Sequence, residues 1–189
     1  MPPAKTLQHK TVYQLKVSLM GSTPLVWRRA QVVADTRLSK LHKILQVVMG
    51  WDNSHLYEFI IDKVSYGEPH PDYGVKMKDA SKTTVVQVAS APGTNFTYIY
   101  DFGDGWRHII LVEKILQAEP DVKYPLCIDG AMACPPEDCG GIGGYANFLD
   151  AVNDPAHEEH ESMLEWIGGG FDPKAFDRDR VNTTLKRMK

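Results

Sequence analysis

The stretch from Phe96 to Leu116, FTYIYDFGDGWRHIILVEKIL, is the clearest structural statement in the chain. Two runs of aromatic and β-branched residues flank Gly103, Asp104 and Gly105, which is the strongest short-range hairpin signal available. With Asp104 and Gly105 as a two-residue turn, Gly103 faces Trp106 and Phe102 faces Arg107. Asp101 then lies opposite His108 on the same face of the sheet. An aspartate in that position raises the imidazole pKa and fixes its tautomer, which suits a general base or a metal ligand. The plain alternative is a cross-strand polar pair that ends the hydrophobic face.

Other segments supply a sheet for this hairpin to join. In TVYQLKVSLM, from Thr11, the residues Tyr13, Leu15, Val17 and Leu19 alternate with Gln14, Lys16 and Ser18, as a half-buried strand requires. GSTP turns the chain into LVWRRAQVVA, a second strand on which Arg28 and Arg29 point to opposite faces. Asp35 or Thr36 is expected to cap a helix carrying Leu38, Leu41, Leu45 and Val48 on one stripe, with Gly50 as its stop. HLYEFIID reads as a third strand, residues 64 to 83 as a long loop, and TVVQVA as a short strand. Beyond Glu119 the pattern turns to loop and helix. Helices are expected from Gly144 to Val152, from His157 to Ile167, and from Pro173 onward, with Asp172 as cap and Phe171 stapled to Phe176.

These elements predict one α+β domain over residues 1–189. A mixed, twisted sheet would be covered by one helix and flanked by C-terminal helices, with residues 1–10 flexible, 11–118 sheet-rich and 119–189 loop and helix. With 43% hydrophobic and 24% charged residues and a net charge of -3, the chain has the balance of a soluble globular protein, without the basic excess of a typical nucleic-acid binder. No apolar run reaches signal-peptide or membrane-span length, so a cytoplasmic protein with no membrane partner is expected.

All three cysteines fall between Cys127 and Cys139. Their spacing is wider than the paired cysteines of a zinc knuckle, and closing a tetrahedral site would require a fourth ligand such as His108, His55 or Asp138. The loop CPPEDCGGIGGY has a second use that needs no metal: prolines stiffen it, glycines permit close backbone approach, and free amides ahead of the following helix could receive an anion. Its glycines do not match a dinucleotide or phosphate loop. HEEHE spaces its histidines three apart rather than four and reads as a solvated acidic helix start. Lys40, His42, Lys43, Arg28, Arg29 and Arg37 could form a basic face that touches phosphate.

Three stretches, YQLKVSLMGSTPLVWRRAQV, YIYDFGDGWRHIILVEKI and CPPEDCGGIGGYANFLDA with WIGGGFDPKAFDRDRVN, together resemble the plasmid pRiA4b ORF-3-like family, which includes passenger proteins of insertion elements. The resemblance spans about Tyr13 to Leu185. It marks Asp101, Gly103, Asp104, Trp106 and His108 in the hairpin, and Cys134, Pro135, Pro136, Glu137, Asp138, Gly140, Gly141 and Tyr145 in the loop. It implies an α+β fold whose strand–strand–helix–strand start is similar to a β-grasp, with hairpin and loop close together. It carries no settled activity.

Two functions are expected, the first favoured over the second. One is a binding or interaction module linked to mobile-element biology, with a protein, peptide or nucleic acid as partner. The other is a metal-dependent hydrolase between the 101–108 hairpin and the 134–141 loop. Asp101, Asp104, His108, Glu137 and Asp138 would be its catalytic candidates, and Trp106, Cys134, Gly140, Gly141 and Tyr145 would contact ligand. No cofactor is required by any motif, while a divalent metal fits the candidate side chains.

Overall fold

The computed structural model describes residues 10–69 and 77–188. Most of the segment expected to be flexible at the N-terminus therefore lies outside the described residues. Eight strands form one sheet in the order β5-β4-β3-β6-β7-β1-β2-β8. They are β1 (Thr11–Leu19), β2 (Trp27–Val33), β3 (Tyr57–Ile61), β4 (Val64–Gly67), β5 (Lys78–Asp79), β6 (Asn95–Tyr100), β7 (Trp106–Gln117) and β8 (Leu126–Ala131). Every pairing is antiparallel except β4 with β5, so the sheet is mixed. Helix α1 (Leu38–Met49) follows β2 and precedes β3, giving the expected strand–strand–helix–strand start.

Alternation sets the two faces of the sheet. Tyr13, Leu15, Val17 and Leu19 of β1 are buried in a core shared with Leu38, Leu41, Ile44, Leu45 and Val48 of α1. A register shift between Gln14 and Leu15 adds Glu113 as an extra residue on β7. On the opposite face Glu113 takes both Nε and Nη2 of Arg29, at 2.6 and 2.9 Å, and the amide of Gln14 at 2.8 Å. Arg28 goes to the other side and is 2% exposed. With Arg28 and His42 buried, the expected basic face loses two of its members.

Several local expectations are corrected. TVVQVA forms a helical turn, α2 (Val85–Val88), because the carbonyls of Thr36 and Ala34 take the Val85 and Val86 amides and Gln87 Oε1 takes the Thr84 amide, which outweighs the β-propensity of the valines. LCIDGA forms β8, since β2 offers it an edge; Asn182 then covers the new edge by bonding both the N–H and the C=O of Cys127 at 2.8 Å. Strands β4 and β5 occupy the ends of the expected long loop. Neither Asp35 nor Thr36 caps α1: Arg37 is the N-cap, and the Leu38 amide is taken by the carbonyl of Thr83.

The C-terminal layer consists of α3 (Gly141–Asn153), α4 (His160–Ile167) and α5 (Arg178–Leu185). Asp172 starts a turn rather than a helix, accepting from the Lys174 amide, while Asp177 caps α5 through the Arg180 amide. Helix α5 lies against β8 and α1. Among the described residues, no helix is long and apolar enough to cross a membrane.

Candidate metal centre

The hairpin loop is longer than two residues, and that changes the site. Tyr100 pairs with Trp106, Ile99 with Arg107, and Tyr98 with His108. Asp101 leaves the strand with φ 54°, its carbonyl accepts from the Gly105 amide at 2.7 Å, and its Oδ1 accepts from the Gly103 amide at 2.8 Å. Asp101 through Gly105 thus form a five-residue loop. The expected pairing of Asp101 with His108 is therefore wrong: the aspartate's own turn bonds remove it from the ladder.

His108 sits instead on the buried face, fully enclosed, with Trp51 edge-on at 5.3 Å and Tyr98 at 5.4 Å between ring centroids. Burial pushes its pKa down to about 4, opposite to the direction expected from an aspartate partner. Trp106 is packed against Trp51 in the same layer, and Tyr145 stacks with Phe148 and meets Phe171 edge-on. These three candidates build the floor and walls rather than the opening.

The residue that takes the expected place of His108 is His55. It stands in the turn WDNSH after α1, where Asn53 adopts a positive φ of 65° and Trp51 donates its indole N–H to the Pro135 carbonyl at 3.1 Å. His55 Nε2 lies 3.1 Å from Asp138 Oδ1, 3.6 Å from Glu137 Oε2 and 3.8 Å from Asp101 Oδ2. The nitrogen is buried and makes no hydrogen bond among the described residues. Ligand atoms of His55, Asp101 and Asp138 all fall within 4.8 Å of one another, and this is the one such cluster among the described residues.

Glu137 has a different task. Its Oε1 accepts from the Asp52 amide at 2.8 Å, its Oε2 from the Ser54 hydroxyl at 2.8 Å, and the Tyr100 phenol reaches both oxygens at 3.2 Å. One carboxylate therefore ties the proline loop to the His55 turn and to β6. Burial pushes the Tyr100 phenol up to about 12, which keeps it a donor. Asp104 stands on the far side of the hairpin loop, accepting from the Gly140 amide at 3.1 Å. Gly141 approaches so closely that a Cβ there would lie 2.5 Å from the Asp104 carbonyl oxygen.

The structure thus brings Asp101, Asp104, Glu137, Asp138, Gly140 and Gly141 to one junction of hairpin and loop. Cys134 and Cys139 flank it, but burial raises both thiols, Cys139 to about 12, and neither belongs to the ligand cluster. Ser54 and Tyr100 are members the candidates omit, and His55 enters them only as a fourth ligand for the cysteines. The available signal was the turn sequence DNSH directly after the helix stop at Gly50.

Spacing and charge define what the cluster can do. Two donors each ~2.1 Å from a shared ion stand ~3.0 Å apart at right angles and ~3.4 Å apart in a tetrahedron. The separations of 3.1 and 3.8 Å from His55 Nε2 need only small side-chain adjustments to meet this. Among the described residues, no lysine or arginine pairs with Asp101, Glu137 or Asp138. Repulsion between such neighbouring carboxylates, on the order of 1–3 kcal/mol near a surface, is relieved by a cation.

Comparison with known proteins places the chain in a family. The family described as "Plasmid pRiA4b ORF-3-like protein" matches residues 11–180. The uncharacterized protein y4hQ of Sinorhizobium fredii is 41% identical over 177 residues, spanning 93% of this chain and 91% of the relative. The crystal structure of the protein of unknown function MM3350 from Methanosarcina mazei Go1 superposes with a TM-score of 0.83 at 36% identity, covering 92% of this chain and 98% of that one.

Proposed function

The chain belongs to the plasmid pRiA4b ORF-3-like family, and for this member we propose a divalent-metal site at His55, Asp101 and Asp138 that supports hydrolysis. The observation that carries the reading is the buried, unbonded Nε2 of His55 facing carboxylate oxygens at ligand spacing. One imidazole and two carboxylates form an intermediate-to-hard donor set suited to Mn²⁺ or Zn²⁺. Three protein donors leave positions for water and substrate, and a bound ion lowers the pKa of that water toward neutrality. Glu137 positions the ligand turn, and Asp104 holds the loop that bears Asp138.

The test is metal content of protein purified without added metal, followed by calorimetric titration with Mn²⁺ and Zn²⁺. Wild type should bind one equivalent, and His55→Ala and Asp101→Asn should each weaken binding at least about 100-fold while folding is retained. Metal-stimulated turnover of p-nitrophenyl esters or phosphates, lost with EDTA, would support the hydrolytic part. Absence of saturable binding by wild type would overturn the metal site itself.

A second reading, an interaction module linked to mobile elements, is favoured by one feature. Leu56 and Phe102, each next in sequence to a proposed ligand, are 38% and 47% exposed. A protein or peptide partner docking there would lose at least tenfold in affinity on Phe102→Ser, with metal titration unchanged. Nucleic acid suits the rim poorly, since its carboxylates repel phosphate.

A further inference from the structure

A cavity of about 530 Å³ opens between the end of α1, the Cys134–Glu137 loop and the segment leading into α5. Its walls include Val47, Met49, Ile167, Phe171 and Val181, and Arg28 lines it as well. Arg28 is 2% exposed and has no carboxylate partner among the described residues. Its Nε bonds the Val48 carbonyl at 2.7 Å, and Nη1 bonds the carbonyls of Trp27 and Ala131 at 2.8 Å. Among the described residues, no acceptor bonds Nη2. A buried cation without an anion is costly. The C-terminal end of α1 supplies only about half a negative charge, so part of the positive charge stays uncompensated.

The surroundings hold this guanidinium in place. Phe176 stacks over it with 4.2 Å from Cζ to the ring centroid. Gly130 makes room for both side chains, since a Cβ there would lie 2.7 Å from Phe176 and 2.9 Å from Arg28 Cδ. The two acidic residues on the wall are engaged elsewhere: Glu137 with Asp52, Ser54 and Tyr100, and Asp177 with the Arg180 amide. We propose that this cavity binds a small apolar molecule bearing a single carboxylate, with the carboxylate on Nη2 of Arg28 and the body among the aliphatic and aromatic walls. The volume falls in the range of ordinary small-molecule sites, and a charge-assisted bond to arginine is the geometry that selects a carboxylate. The cavity borders the metal centre through Glu137 and the proline loop but uses none of its three ligands.

The experiment titrates metal-free and metal-loaded protein with 3-phenylpropionate and with the uncharged 3-phenylpropanol, following the methyl resonances of Val47, Met49 and Val181. The acid should saturate these shifts at least tenfold more tightly than the alcohol, in both metal states. Arg28→Met should erase that preference, and Ala175→Trp, at an exposed position on the cavity wall, should weaken the acid at least tenfold. Equal affinities, no saturation of wild type, or a preference that survives Arg28→Met would overturn the proposal. If Arg28→Met does not fold, the acid–alcohol ratio and the Ala175→Trp result decide it.

Discussion

His55 and His108 both hold a buried Nε2 without a hydrogen-bond partner, yet their surroundings give that shared feature opposite meanings. Around His108 the neighbours are aromatic: Trp51, Tyr98 and the packed layer beneath them. Its imidazole is held neutral by burial and acts as part of the core. Around His55 the neighbours are three carboxylates, and the side chain is 31% exposed. An unsatisfied nitrogen among hydrocarbon is a cost, whereas one among acids is a place for a cation. The nature of the second partner decides which.

The hydrocarbon setting of His108 shows most strongly in acid. Burial holds both His108 and His42 at about 4, below the ordinary value near 6.5. The unfolded chain therefore binds these protons first, so stability is intact above pH 6.5 and falls as the pH drops toward 4, by about 3 kcal/mol for each histidine. Urea denaturation at a series of pH values should show this loss. His108→Phe should remove roughly half of it, and a profile that this substitution leaves unchanged would place the responsible proton elsewhere.

Gly141→Ala strikes the junction between the two regions. The residue has φ 68°, and its Cβ would collide with the Asp104 carbonyl. A destabilisation of roughly 2–4 kcal/mol is expected from the clash and the unfavourable dihedral. Metal affinity should fall with it, as Asp138 is carried on the displaced loop. Thermal unfolding and metal titration of the same sample would check both.

The smallest expected effect isolates the positioning role of Glu137. Glu137→Gln retains the shape but weakens the acceptors for Asp52, Ser54 and Tyr100, so metal affinity should drop about 10- to 100-fold, as for other outer-shell carboxylates. Stability should change by less than about 1.5 kcal/mol, since the bonds lie near the surface. A loss as large as that of His55→Ala would make Glu137 a ligand itself.

Much of the sheet was legible because apolar alternation is a local property. Strands β1, β2, β3, β6 and β7 and helix α1 all follow from spacing within their own segments. Strand β8 was not, because LCIDGA has little pattern of its own and becomes a strand only when β2 presents an edge to it. The α2 turn was misread for a related reason: its valines favour a strand, but the carbonyls of Thr36 and Ala34, distant in sequence, take the amides of Val85 and Val86.

The site divides along the same line. Family motifs and residue chemistry selected Asp101, Glu137 and Asp138 together with the hairpin–loop junction where they meet. They also selected His108, because a two-residue turn would put it beside Asp101. The bonds from Asp101 to Gly103 and Gly105 lengthen that loop and reverse the choice.

By itself the chain determined its strands, its covering helix and the supply of carboxylates, all encoded in residue type and short-range period. Which histidine faces those carboxylates, and which arginine is buried without a counter-charge, only the tertiary structure decided. Both depend on loop register and on contacts between residues such as His55 and Asp138, or Arg28 and Phe176, that are far apart in sequence.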